Sequence, residues 1–120
     1  MANEESDFDD YEDIDIFGGL ILEKRFVLID QIGAGVNAVV WLSYDFVGKK
    51  YYAIKIQNHD YYEAAKEEVV LLKKISAQKT PELIELKSYF VYVVSDAENG
   101  TRKYMCMVFQ LMAGSLLDLI

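Results

Sequence analysis

Three strand-like segments joined by links of only a few residues constrain this chain most. Arg25–Ile32 (RFVLIDQI) runs to Gly33, Asn37–Tyr44 (NAVVWLSY) runs to the turn Asp45-Phe46-Val47-Gly48, and Lys50–Gln57 (KYYAIKIQ) follows at once. Links this short cannot hold a crossover helix, so the three segments predict an antiparallel meander. The period then changes. Residues 60–76 lack Gly and Pro, and Ala65, Val69 and Leu72 recur at helical spacing with Glu68 and Ile75 beside them. Asp60, with Glu63 three residues on, reads as a capping box, and Pro81 bars any continuation of the helix. Leu83–Val94 is β-branched and aromatic, Ser95–Lys103 contains Asn99-Gly100 and reads as a hairpin loop, and Tyr104–Leu111 is almost wholly apolar. Leu116, Leu117, Leu119 and Ile120 read as the start of a second helix. The expected class is α+β: a five-stranded antiparallel sheet with one main helix packed on it.

The formal net charge of −8 on 120 residues belongs to one end of the chain. Residues 1–22 hold eight acids and no Lys or Arg, which leaves twelve of the 20 acids against all 12 bases in residues 23–120. The expected division is therefore an acidic tail over residues 1–22, ordered in part at most, and a folded body over 23–120. The tail reads as a solvated segment or as an acidic arm that docks on a basic partner. Ile14, Ile16 and Phe17 within it could lie along the body as a short strand. A neutral body speaks against nucleic-acid binding, because phosphate contacts need clustered Lys and Arg. The nine Tyr and Trp41 then fit core and sheet packing better than base stacking. No apolar run reaches the roughly 18 residues a membrane helix needs. The single Cys106 cannot staple the fold, and with no basic segment before an apolar core at the N-terminus an intracellular location is expected.

Three places could carry chemistry. Gly33-Ala34-Gly35-Val36-Asn37-Ala38 lies between two strands, where glycines permit positive φ and a close backbone approach to an anion. The plain alternative is an ordinary turn. It is not a dinucleotide fingerprint, because a strand follows it, and no Gly-Lys-Ser/Thr closes it as a Walker loop. Lys55 sits between Ile54 and Ile56 on the third strand. Either it points to solvent, or it aims at phosphate oxygens from a cleft. Glu68 lies thirteen residues further on, in the helix stripe. Either it pairs with Lys73 or Lys74 along the helix, or it faces Lys55. A Lys–Glu pair 4 Å apart is worth about 4 kcal/mol at an effective dielectric of 20, before desolvation is subtracted.

Order and spacing together say more than any one motif. A glycine hairpin with Val40 on its far side, Ala53-Ile54-Lys55 in the next strand, a helix Glu, and then an apolar strand resembles the small lobe of eukaryotic-type Ser/Thr protein kinases, and most nearly that of SR-protein kinases. The segments VVWLSYDFVGKKYYAIKI (39–56), EEVVLLKKI (67–75) and MCMVF (105–109) carry the resemblance, which spans about residues 20–120. It implies an ATP site. Gly33 and Gly35 would be the first two glycines of the phosphate-covering loop, with Ile32 just before them. Val40 and Ala53 would line the adenine pocket, Lys55 would contact the α- and β-phosphates, and Glu68 would pair with it. Phe109 would be the gatekeeper. Gln110, Leu111 and Met112 would form the hinge, with the Gln110 carbonyl and the Met112 N–H and carbonyl on the adenine edge, and Ser115 would meet the ribose.

The sequence also departs from that pattern. Ala38 stands at the third glycine position, where a positive φ would be strained. Gln110 stands where the hinge often has an acid. No His-Arg-Asp catalytic loop or Asp-Phe-Gly metal site is present, and His59 is the only His. Mg²⁺ and a substrate hydroxyl would therefore need a second lobe. The resemblance leads to the expectation of an ATP-binding lobe, a fragment or truncated product inactive alone, which with its other lobe would phosphorylate protein substrates. The alternative is a non-catalytic, kinase-derived module that binds a protein partner through its exposed lobe face.

Overall fold

The structure, a computed structural model, describes residues 19–76 and 85–111. Its sheet has six strands: β1 (Ile21–Leu22), β2 (Phe26–Ala34), β3 (Ala38–Asp45), β4 (Lys50–Gln57), β5 (Leu86–Asp96) and β6 (Gly100–Gln110). One 3₁₀ turn (His59–Tyr61) leads into helix α1 (Tyr62–Ser76). All pairings are antiparallel, in the order β1-β2-β3-β4-β6-β5. The meander, the helix and the final hairpin follow the expected order. The fifth and sixth strands run further into their link than expected, so the turn shrinks to residues 97–99. Ile14, Ile16, Phe17, Pro81 and the Leu116–Ile120 segment lie outside the described residues.

The sheet corrects the expected five strands to six. The extra strand, β1, is two residues long, too short to show a period. It is joined to β2 by Glu23, Lys24 and Arg25; Glu23 and Lys24 are both at φ 54, and the Arg25 N–H donates to the Leu22 carbonyl at 3.0 Å. Two successive positive φ values make a type I′-like turn, which usually carries Asn-Gly. Glu-Lys gives no such signal in the sequence.

Along β4 successive side chains alternate between faces. Ile54 and Ile56 join Leu22, Phe26, Leu28, Val39, Trp41, Tyr104, Cys106 and Val108 in the larger core. Ala53, Lys55 and Gln57 face the other way, where Ala65 and Val69 of α1 pack on Met105, Met107, Phe109 and Leu86. Phe26 and Phe90 stack with ring centroids 5.9 Å apart. Their strands are four spacings apart in the sheet order, about 19 Å if the sheet were flat. The sheet is therefore strongly curled, and its concave face encloses the larger core. Trp41 and Tyr104 are buried there, as expected of packing residues.

The helix begins differently from expectation. Asn58, not Asp60, supplies the cap: its side-chain oxygen accepts from the Asp60 N–H at 2.9 Å and so opens the 3₁₀ turn. An Asx cap two residues earlier satisfies the Asp60 N–H before the α-helix starts. Among the described residues, no helix is long and apolar enough to cross a membrane.

Candidate functional site

A β-bulge shapes the glycine hairpin. Gln31 lies opposite Trp41 and Gly33 opposite Val40, so Ile32 is the inserted residue and the local twist increases. The hairpin closes through Gly35 N–H donating to the Ala38 carbonyl at 2.8 Å. The positive φ that glycine permits is not used at Gly33 or Gly35: among the described residues, the glycines at positive φ are Gly19 and Gly100. Ala38 is an ordinary strand residue, so its methyl brings no strain. A Cβ built on Gly35 would meet nothing nearer than the Ala38 carbonyl oxygen at 3.9 Å. A side-chain methyl there would make only an ordinary van der Waals contact, so packing within the chain does not by itself require glycine at 35.

Beneath the hairpin lies a cavity of about 190 Å³ lined by Ala34, Gly35, Val36, Asn37, Ala38, Val40, Lys55 and Gln57. Register explains the gathering. Val40 pairs with Lys55 and Ala38 with Gln57 across β3 and β4, and directly opposed residues share a face. Lys55 does not point to open solvent. Its ammonium donates to the Glu68 carboxylate at 3.2 Å, and the two side chains are 25% and 33% exposed. Glu68 therefore faces β4 and not Lys73 or Lys74. Lys73 instead reaches the Tyr89 hydroxyl at 3.5 Å. The pair closes because α1 docks on β6 through Ala65 and Val69, which puts position 68 above β4.

The remaining expected residues spread outward from this centre. Ala53 is fully buried on the same face of β4, two residues from Lys55, and pairs with Phe109, itself 2% exposed. Gln110 pairs with Tyr52 at the end of β6. Ile32 and Gly33 are half-buried and do not line the cavity. Met112 and Ser115 lie outside the described residues. His59 is in the 3₁₀ turn, 3.4 Å from the Asp60 carboxylate and edge-on to the Tyr104 ring. Among the described residues, no cluster of three or more His, Cys, Asp or Glu side chains could hold a metal.

Two polar cavity residues carried no expected role: Gln57, and Asn37 within the glycine hairpin. Gln57, 8% exposed, donates from Nε2 to the second Glu68 oxygen at 3.5 Å. Asn37 and Gln57 each bury a side-chain oxygen with no hydrogen-bond partner among the described residues. The period of two on β4 places Gln57 on the face of Lys55, and that was the available signal. The site thus combines a cation held by a carboxylate, a glycine hairpin above it and an apolar floor. This donor set fits a polyphosphate with an apolar base at its side.

A curled antiparallel sheet with one helix, whose carboxylate meets a strand lysine under a glycine hairpin, matches the small lobe of a protein kinase. The kinase domain of PF14_0431 superposes with a TM-score of 0.62 at 28% identity, covering 78% of this chain and 26% of that one. In sequence, the chain aligns with the small-lobe region of SR-protein kinases and other Ser/Thr protein kinases. It is 35% identical over 109 residues to a mimivirus protein (Acanthamoeba polyphaga mimivirus) named as a serine/threonine-protein kinase. It is 33% identical over 104 residues to protein kinase dsk1 of Schizosaccharomyces pombe, and 32% identical over 108 residues to serine/threonine-protein kinase SKY1 of Saccharomyces cerevisiae. These alignments cover 88%, 81% and 82% of this chain but 19%, 18% and 14% of the relatives. The chain therefore spans less than a fifth of their length. No family model matches it.

Proposed function

We propose that this chain forms the ATP-holding side of a Ser/Thr protein kinase cleft, acting on protein substrates together with a large lobe. The observation that carries this reading is the Lys55–Glu68 pair, 3.2 Å apart, on the face that continues into the cavity under Gly35. Lys55 offers an ammonium to the α- and β-phosphates, and Glu68 holds it at that height. The glycine hairpin covers the phosphates from above the cavity. Val40 and Ala53 form the apolar wall beside adenine, and Phe109 closes the back of the pocket. Gln110 and Met112 supply backbone groups to the adenine edge, with Ser115 near the ribose. ATP supplies the transferred phosphoryl group. Mg²⁺ ligands and the group that positions a hydroxyl belong to the other lobe in this reading, so the chain alone turns nothing over.

The test is a thermal shift and titration calorimetry with Mg-ATP on the chain and on Lys55→Ala. The wild type is expected to be stabilised, by about 2.7 kcal/mol at a hundredfold excess over Kd, and Lys55→Ala to bind at least about tenfold more weakly, a loss of about 1.4 kcal/mol. If neither protein responds, the nucleotide reading fails. The chain is then better read as a non-catalytic module that binds a protein partner.

A further inference from the structure

We propose that Gln57 is a positioning residue for Glu68: a second, neutral donor that holds the helix carboxylate against β4 while the Lys55 ammonium is shared between Glu68 and phosphate. The inference rests on the nucleotide reading above. Lys55 and Gln57 are two residues apart on β4, so both project toward α1. One carboxylate spans them. Its Oε2 takes the Lys55 ammonium at 3.2 Å and its Oε1 takes the Gln57 amide at 3.5 Å.

The orientation of the amide follows from chemistry. A carboxylate only accepts, so Gln57 must turn Nε2 toward Glu68. Its own Oε1 is then left buried with no hydrogen-bond partner among the described residues. Such an orphan acceptor destabilises the fold, and an apolar side chain of the same length would remove it. A residue at 57 chosen only for packing would therefore not be Gln. The benefit lies in the bound state. Bound phosphate shares the Lys55 ammonium with Glu68, so that single hold on the carboxylate is weaker. An uncharged amide is not drawn away in the same manner, and it keeps Glu68 and α1 docked.

Gln57→Met, which keeps the length and removes the donor, separates this role from a structural one. The melting midpoint is expected to stay level or rise, while Mg-ATP affinity falls about 3- to 10-fold. In a Glu68→Ala background the same change is expected to cost no further affinity, because its effect runs through Glu68. A lower midpoint with unchanged affinity would overturn the proposal, as would an equal affinity loss in both backgrounds. A ligand-free measurement decides the contact separately. The Gln57 side-chain amide signals in a ¹⁵N-correlated NMR spectrum are expected to move toward free-amide positions in Glu68→Ala, and signals that stay put would sink the inference. Absence of nucleotide binding by the wild type would instead count against the nucleotide reading, with the amide signals still deciding whether Gln57 holds Glu68.

Discussion

Asp45 shows how much one carboxylate can organise. It is fully buried and accepts from Arg25 through both oxygens, at 2.9 and 2.7 Å. It also accepts the N–H groups of Val47 and Gly48, each at 3.0 Å, and so shapes the β3–β4 turn. The Arg25 hydrogen bonds, opposed by burial and helped by the two turn N–H groups, lower its pKa from 3.8 to about 2. A carboxyl with a lower pKa in the folded state binds fewer protons there than in the unfolded chain. Its contribution is complete above about 4 and is lost as pH falls toward 2. Asp45→Ala is expected to cost roughly 3 kcal/mol at pH 7, the lower end for breaking a buried pair, because the Arg25 end is partly exposed. Urea unfolding of both proteins checks this, and the gap between them should narrow as pH drops through that window.

The β1–β2 turn is the element that matches its residues least. Glu23 and Lys24 both sit at φ 54, a region that costs an L-residue roughly 1–2 kcal/mol. The strands around it over-determine the turn: Ile21 pairs with Val27, Leu22 with Phe26, and Leu22 is buried in the larger core. Lys24→Gly is therefore expected to stabilise the chain by about 1 kcal/mol, despite glycine's greater freedom when unfolded. Denaturant midpoints measure it, and a destabilised variant would mean that the Lys24 side chain contributes more than its backbone costs.

At the scale of the whole molecule, curling of the sheet puts its two faces to different uses. The concave face buries the larger core, and the other face carries α1 and the ion pair. Phe26 closes the curl, stacked on Phe90 and edge-on to Tyr52 at 6.1 Å. Phe26→Ala is expected to cost about 3–5 kcal/mol, a large share of the typical 5–15 kcal/mol of a folded domain. Val93→Ala, at a 51% exposed position, should stay within about 0.5 kcal/mol. Chemical denaturation of the two variants checks both figures. Comparable losses would show that the concave core does not dominate stability.

Element order could be read from the chain because it depends on local pattern. Alternation marked β4 at Lys50–Gln57, and the 3.6-residue stripe through Ala65 and Val69 marked the buried side of α1. The position of Lys55 on a strand and of Glu68 in that stripe followed as well. Whether the two would meet was not local. It depended on how α1 sits on β6, since either side chain could have satisfied itself along its own element. The same reason hid β1, whose two residues are held by pairing across a turn with no turn residues. It also hid Gln57, whose amide is oriented by a carboxylate eleven residues away. Short-range periodicity is written into neighbouring residues, whereas the partner of a polar side chain is chosen only when distant elements close on one another.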